Sequence, residues 1–150
     1  MQTGVPMSAP PRLSLVTLGV TDVAASTAFY ERLGWPLSPA SVAGEVSFFR
    51  TAGGILALYG ANALATDAGS SGSTTIGFRG VALAINCDDR EQVDDTLRIA
   101  EEAGAARVKA AEPADWGGYS GYFEDPDRHL WEVAHNPAWT IGEDGCPVLP

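Results

Sequence analysis

The sequence predicts an α+β fold made of two paired βαβββ modules, with helices outside and two curved sheets facing a common cup. Three observations predict it. The order strand–helix–three strands occurs twice, over about residues 13–60 and about 79–135. Each helical stretch follows an aspartate able to cap it and stops at a glycine, Gly34 or Gly104. Either unit alone would leave one sheet face bare, so the two must pair to bury it. Identity between the copies is slight; the repeat is one of order and length.

Leu13–Val20 (LSLVTLGV) is nearly continuous in apolar residues and reads as a strand buried on both sides. Thr21 or Asp22 caps a helix over Val23–Leu33, whose Val23, Ser26, Phe29, Tyr30 and Leu33 share one side at helical spacing. After Trp35-Pro36 comes a weak strand near Leu37–Ser41. Gly44–Arg50, the turn Thr51–Gly54 and Ile55–Tyr59 make a hairpin. About residues 61–78 read as a linker, because Ala61–Ser73 is Ala, Gly and Ser with little periodicity.

The second unit begins with a strand at Gly80–Asn86. Asp88 or Asp89 caps a helix over Arg90–Ala103, with Val93, Leu97, Ala100 and Ala103 as its apolar stripe. A strand at Ala106–Ala111 and a loop at Glu112–Gly118 lead to the closing hairpin, GGYSGYFEDPDRHLWEVAHNP (Gly117–Pro137); residues 136–150 form a tail. Asp125-Pro126-Asp127-Arg128 fits a type I turn with Arg128 at a position that wants φ > 0. If Asp125 and His129 close that turn, Tyr122 lies opposite Glu132 and Phe123 opposite Trp131. Alternation then puts Ser120, Tyr122, Leu130, Glu132 and Ala134 on one face, and Phe123, Trp131 and Val133 on the other.

The second of these faces is bulky and apolar, as a helix-packed face should be. The first carries a hydroxyl, a phenol and a carboxylate, and looks like a cavity lining. A mid-strand carboxylate requires a partner or a ligand. Ser47 and Phe49 are expected on the matching face of the first hairpin. Trp116 lies in a Gly-rich loop without a core of its own, which suits a rim contact or stacking platform.

At 150 residues the chain is one domain with one shared core. No apolar run approaches the ~20 residues of a membrane span, and the N-terminus lacks the basic start and apolar stretch of a signal peptide. Cys87 and Cys146 have no metal spacing and form no disulfide framework, as expected of a cytoplasmic protein. A net charge of −10, with a single lysine, excludes a nucleic-acid partner and leaves room for cationic small molecules.

Paired βαβββ units resemble the vicinal-oxygen-chelate superfamily, which includes glyoxalase I, extradiol dioxygenases and bleomycin-resistance proteins. The resemblance rests on VTLGVTDVAASTAFYERLGW (Val16–Trp35) and WGGYSGYFEDPDRHLWEVAHNP (Trp116–Pro137). It implies a cup-shaped site and commonly a homodimer. It also implies a divalent metal held from the first and last strands of each unit. Glu132 matches the last-strand ligand of the second unit; Ala57 takes that position in the first unit, and the expected first-strand His falls near Leu15. Gly80–Asn86 holds no His, Asp, Glu or Cys. One carboxylate cannot supply a metal's ligand set. His129 and His135 lie on the face opposite Glu132, where they are expected to bond backbone.

The expectation is therefore a family member without metal or other cofactor. It would bind a hydrophobic or aromatic compound, cationic ones included, such as an antibiotic. Ser47, Phe49, Ala57, Trp116, Ser120, Tyr122 and Glu132 would line its site. The alternative is a glyoxalase-like lyase, isomerase or dioxygenase with Glu132 as base or metal ligand.

Overall fold

The structure is a computed structural model, and residues 8–70 and 77–150 are described from it. The first strand, β1 (Leu15–Val20), leads into α1 (Val23–Arg32). Asp22 takes extended backbone angles and its carboxylate accepts from the Ala25 N–H, satisfying one of the four donors that open a helix. The helix ends as Gly34 turns to φ 96°, a region that favours glycine. β2 (Val46–Thr51) and β3 (Gly54–Gly60) form the hairpin, and β3 pairs in parallel with β1, giving the order β1-β3-β2.

Two expectations about the first unit change. The weak strand near Leu37 reduces to a single bridge, Leu37 to Phe49, since Pro36 and Pro39 have no N–H to extend a ladder. β1 is not buried on both sides. It is an edge strand whose Leu15 is 46% exposed.

The expected linker opens with a helix, α2 (Ala61–Asp67), followed by Gly69 at φ 68°; the rest of that stretch from 71 to 76 lies outside the described residues. Periodicity missed α2 because alanine carries no amphipathic pattern, yet it is the best helix former. Ala61 and Leu64 rest on Gly19 of β1, where an added Cβ would meet the Ala61 Cα at 3.2 Å.

The second unit runs β4 (Ala82–Asn86), α3 (Arg90–Ala103), β5 (Arg107–Pro113), β6 (Tyr119–Glu124) and β7 (Leu130–His135), in sheet order β4-β7-β6-β5. Asp89 caps α3 by accepting from the Gln92 N–H, and Gly104 ends it at φ 106°. Gly121 marks where β5 shifts register between Lys109 and Glu112. A Cβ there would sit 2.6 Å from both the Leu97 side chain and the Lys109 carbonyl oxygen. The tail adds a small hairpin, β8 (Thr140–Ile141) and β9 (Pro147–Val148).

The two units share one core. Tyr30 of α1 is fully buried and touches Phe49 of the first sheet and Trp131 of the second, at ring-centroid distances of 5.9 and 6.2 Å. Phe123 and Trp131 stack at 5.9 Å, and Arg32 donates to the Ala103 carbonyl to tie α1 to α3. No helix among the described residues is long and apolar enough to cross a membrane.

Candidate functional site

The closing hairpin has the expected register. Asp125 and His129 close it, Tyr122 pairs with Glu132, and Phe123 pairs with Trp131. Arg128 has φ 68°, unlike any other non-glycine among the described residues, and its guanidinium bonds Glu124 at 3.0 Å. The turn is anchored by a buried polar network. The Asp125 carboxylate is fully buried and accepts from the Tyr30 hydroxyl (2.7 Å) and from the N–H groups of Asp127 and His129 (2.9 and 2.8 Å). The Trp131 indole N–H donates in turn to the Tyr30 oxygen at 3.1 Å. Burial pushes the Asp125 carboxyl above its usual range, against the opposing pull of these hydrogen bonds. Burial, with the Asp125 charge beside it, pushes the Tyr30 phenol far up.

On the opposite, outer face of this sheet a row crosses the strands: Ala84, Glu132, Tyr122 and Lys109. Tyr122 donates to Glu132 Oε2 at 3.0 Å, and that bond pushes the phenol upward. Glu132 Oε1 has no hydrogen-bond partner among the described residues. Lys109, the one lysine of the chain, lies 5.6 Å from the Tyr122 ring centre and 3.7 Å from Glu112. Nothing in the sequence pattern singled out Lys109; the β5–β6 register brings it there. Ala82 and Ala134 lie in the adjacent rows of the same face, and Ser120 pairs with Ala134. The flanking rows of that face are mixed: Ala82, Leu130, Glu124 and Arg107 on one side, and Asn86, Ala134, Ser120 and Glu112 on the other.

The first sheet corrects the expected site. Ser47 and Phe49 are 3% and 0% exposed and lie under α1. Thr27 gives its proton to the Val23 carbonyl, so the Ser47 hydroxyl donates to Thr27 Oγ1 at 2.6 Å. Phe49 packs against Tyr30. The residue opposite Ala57 is Phe48, and Thr17 flanks Ala57 on its other side, so Thr17, Ala57 and Phe48 share a row; Ala57 itself is 2% exposed, so it too is buried and not an open lining residue. The turn at Thr51–Gly54 already implied this, since pairing Arg50 with Ile55 pairs Phe48 with Ala57.

Trp116 is 53% exposed, with its indole folded over Gly118 where a Cβ would otherwise sit. His129 Nε2–H donates to the Gly19 carbonyl (2.8 Å) and His135 Nδ1–H to that of Cys87 (3.1 Å), so both histidines serve the backbone.

The donor set does not fit a divalent metal. Leu15 and Ala57 offer hydrocarbon only, and Glu132 is the one carboxylate at the positions in question. No group of three or more His, Cys, Asp or Glu among the described residues could hold a metal ion.

Comparison with known proteins accounts for this architecture. A search of curated proteins returns no match. Among solved structures, a glyoxalase-related enzyme from Fulvimarina pelagi is 33% identical, with a TM-score of 0.82 over 93% of this chain and 99% of that one. A glyoxalase/bleomycin resistance protein/dioxygenase family enzyme from Burkholderia phytofirmans PsJN is 25% identical, with a TM-score of 0.69 over 82% and 97%. A lactoylglutathione lyase from Agrobacterium tumefaciens, 22% identical with a TM-score of 0.62 over 86% and 96%, shares the fold. The sequence profile of the Glyoxalase/Bleomycin resistance protein/Dioxygenase superfamily matches residues 12–133, and the chain belongs to that superfamily.

Proposed function

We propose that the chain binds a hydrophobic or aromatic small molecule, cationic ones included, on the outer faces of its sheets, and that it sequesters this ligand as an antibiotic-binding protein would. The observation that carries the reading is the contrast between the two rows. Thr17, Ala57 and Phe48 carry no charge, whereas Glu132 presents a carboxylate oxygen, Oε1, that no described residue satisfies. A ligand's N–H or cation would meet that oxygen, where it would have to displace or share space with Lys109, whose Nζ lies over the neighbouring Tyr122 ring at 5.6 Å. Kinship with bleomycin-resistance proteins supports sequestration. Two free thiols, Cys87 and Cys146, suit the cytoplasm.

A homodimer completes the site in this reading. β4 and β5 each pair on one side only, and Phe78 and Val81, just before β4, are 76% and 61% exposed. Free edges flanked by apolar side chains favour cover by a second copy.

The open Glu132 Oε1 also favours a second reading, a metal-independent lyase or isomerase with Glu132 as general base. The Fulvimarina protein, described as an enzyme, supports it. Glu132→Gln separates the two. Loss of a counter-ion in a desolvated pair costs roughly 2–5 kcal/mol, which is more than tenfold in affinity. Loss of a base would leave substrate affinity and abolish turnover. Calorimetry on a panel of hydrophobic antibiotics, with product analysis on the same mixtures, reads both. Sequestration predicts weakened binding and no product. Intact affinity with lost turnover would replace it by the enzyme.

A further inference from the structure

A cavity of about 560 Å³ opens between the edges of β1 and β4; Ala82 and Ala84 of the Glu132 face reach its rim, but Glu132 itself does not line it. That is the size of a small-molecule site. Its floor is aromatic: Trp35 and Trp131 meet edge to face at 5.5 Å and 77°. Leu15 and Leu56 form one wall, and Leu83 and Ile85 the other.

The tail supplies the third side. Cys146 Sγ–H donates to the Ala52 carbonyl at 3.1 Å, which fastens the tail to the β2–β3 turn. A Cβ on Gly145 would lie 2.9 Å from Ala52, so the fit depends on a glycine there. Neither Glu132, Tyr122 nor Lys109 reaches this cavity.

Its electrostatics run against those of the chain. The net charge is −10, yet of the residues that line the cavity only Arg50 is charged. Arg50 has no carboxylate within ion-pair distance among the described residues. A guanidinium at an apolar mouth, in an otherwise acidic protein, recognises an anion attached to an apolar body. An inner wall of two indoles selects a flat body over a branched one.

From this charge complementarity we infer that the cavity binds a planar aromatic carboxylate, its ring on Trp35 and Trp131 and its carboxylate at Arg50. The neighbouring groove, along Val16–Gly19, has a different character. Its Arg107 and Arg128 both reach Glu124, at 3.6 and 3.0 Å, and Arg79 donates to the Asp127 carbonyl, so its cations are already engaged.

The test titrates the full-length protein with 2-naphthoate and with the neutral 2-naphthamide, by calorimetry and tryptophan fluorescence. One naphthoate should bind per chain with quenching of indole emission. Arg50→Gln should weaken naphthoate by about tenfold or more and leave the amide unchanged. Glu132→Gln and Arg107→Gln should alter neither, which keeps this inference distinct from the function proposed above. No saturable binding would overturn it, as would equal losses for acid and amide in Arg50→Gln. A loss in Arg107→Gln in place of Arg50→Gln would move the anion to the other groove and overturn it too.

Discussion

Asp125 shows how one buried side chain can organise a turn and leave a signature in pH. Its carboxylate accepts three hydrogen bonds with no exposed surface, and burial raises its pKa in the folded state. An acid whose folded pKa lies above the unfolded value of about 3.9 binds its proton more tightly when folded. Its contribution to stability is therefore present below the unfolded pKa and is lost as pH rises through the folded one. Asp125→Asn keeps an acceptor for the backbone donors and removes the titration. Unfolding in urea from pH 4 to 7 should show wild type losing stability with rising pH relative to Asp125→Asn. A constant difference across that range would mean the turn's hydrogen bonds outweigh burial.

At the scale of elements, the two faces of the β6–β7 hairpin make opposite demands. Trp131 is 6% exposed and touches Tyr30, Trp35 and Phe123, so Trp131→Ala should cost ~3–5 kcal/mol as a buried aromatic site empties. Tyr122→Phe removes one hydrogen bond on the outer face and should cost below about 1 kcal/mol. Denaturant midpoints that reverse this order would swap the faces. This hairpin was legible in the sequence because the turn chemistry of Asp125–Arg128 and strict alternation point to one register. The first hairpin was less so. Its double phenylalanine puts an aromatic on each face whichever register is chosen, and only counting from the turn decides that Phe48, not Phe49, joins Ala57. Lys109 and the tail's docking on Ala52 depend on long-range pairing, which no local pattern carries. The helix at Ala61–Asp67 was hidden by composition, since alanine and glycine together resemble a linker.

For the whole molecule, a single core built from both units leaves the edges of β4 and β5 unpaired. A homodimer should therefore form, and light scattering should give about twice the 15.7 kDa of one chain. A mass of one chain at working concentration would leave the site to one copy. The central claim concerns what Glu132 does there. The most direct measurement is the affinity of a cationic aromatic, N-methylquinolinium, against that of its neutral isostere 1-methylnaphthalene, on wild type and on Glu132→Gln. The account predicts that wild type prefers the cation by more than about tenfold and that the preference disappears in Glu132→Gln while the neutral ligand binds as before. An equal preference in both proteins would contradict it.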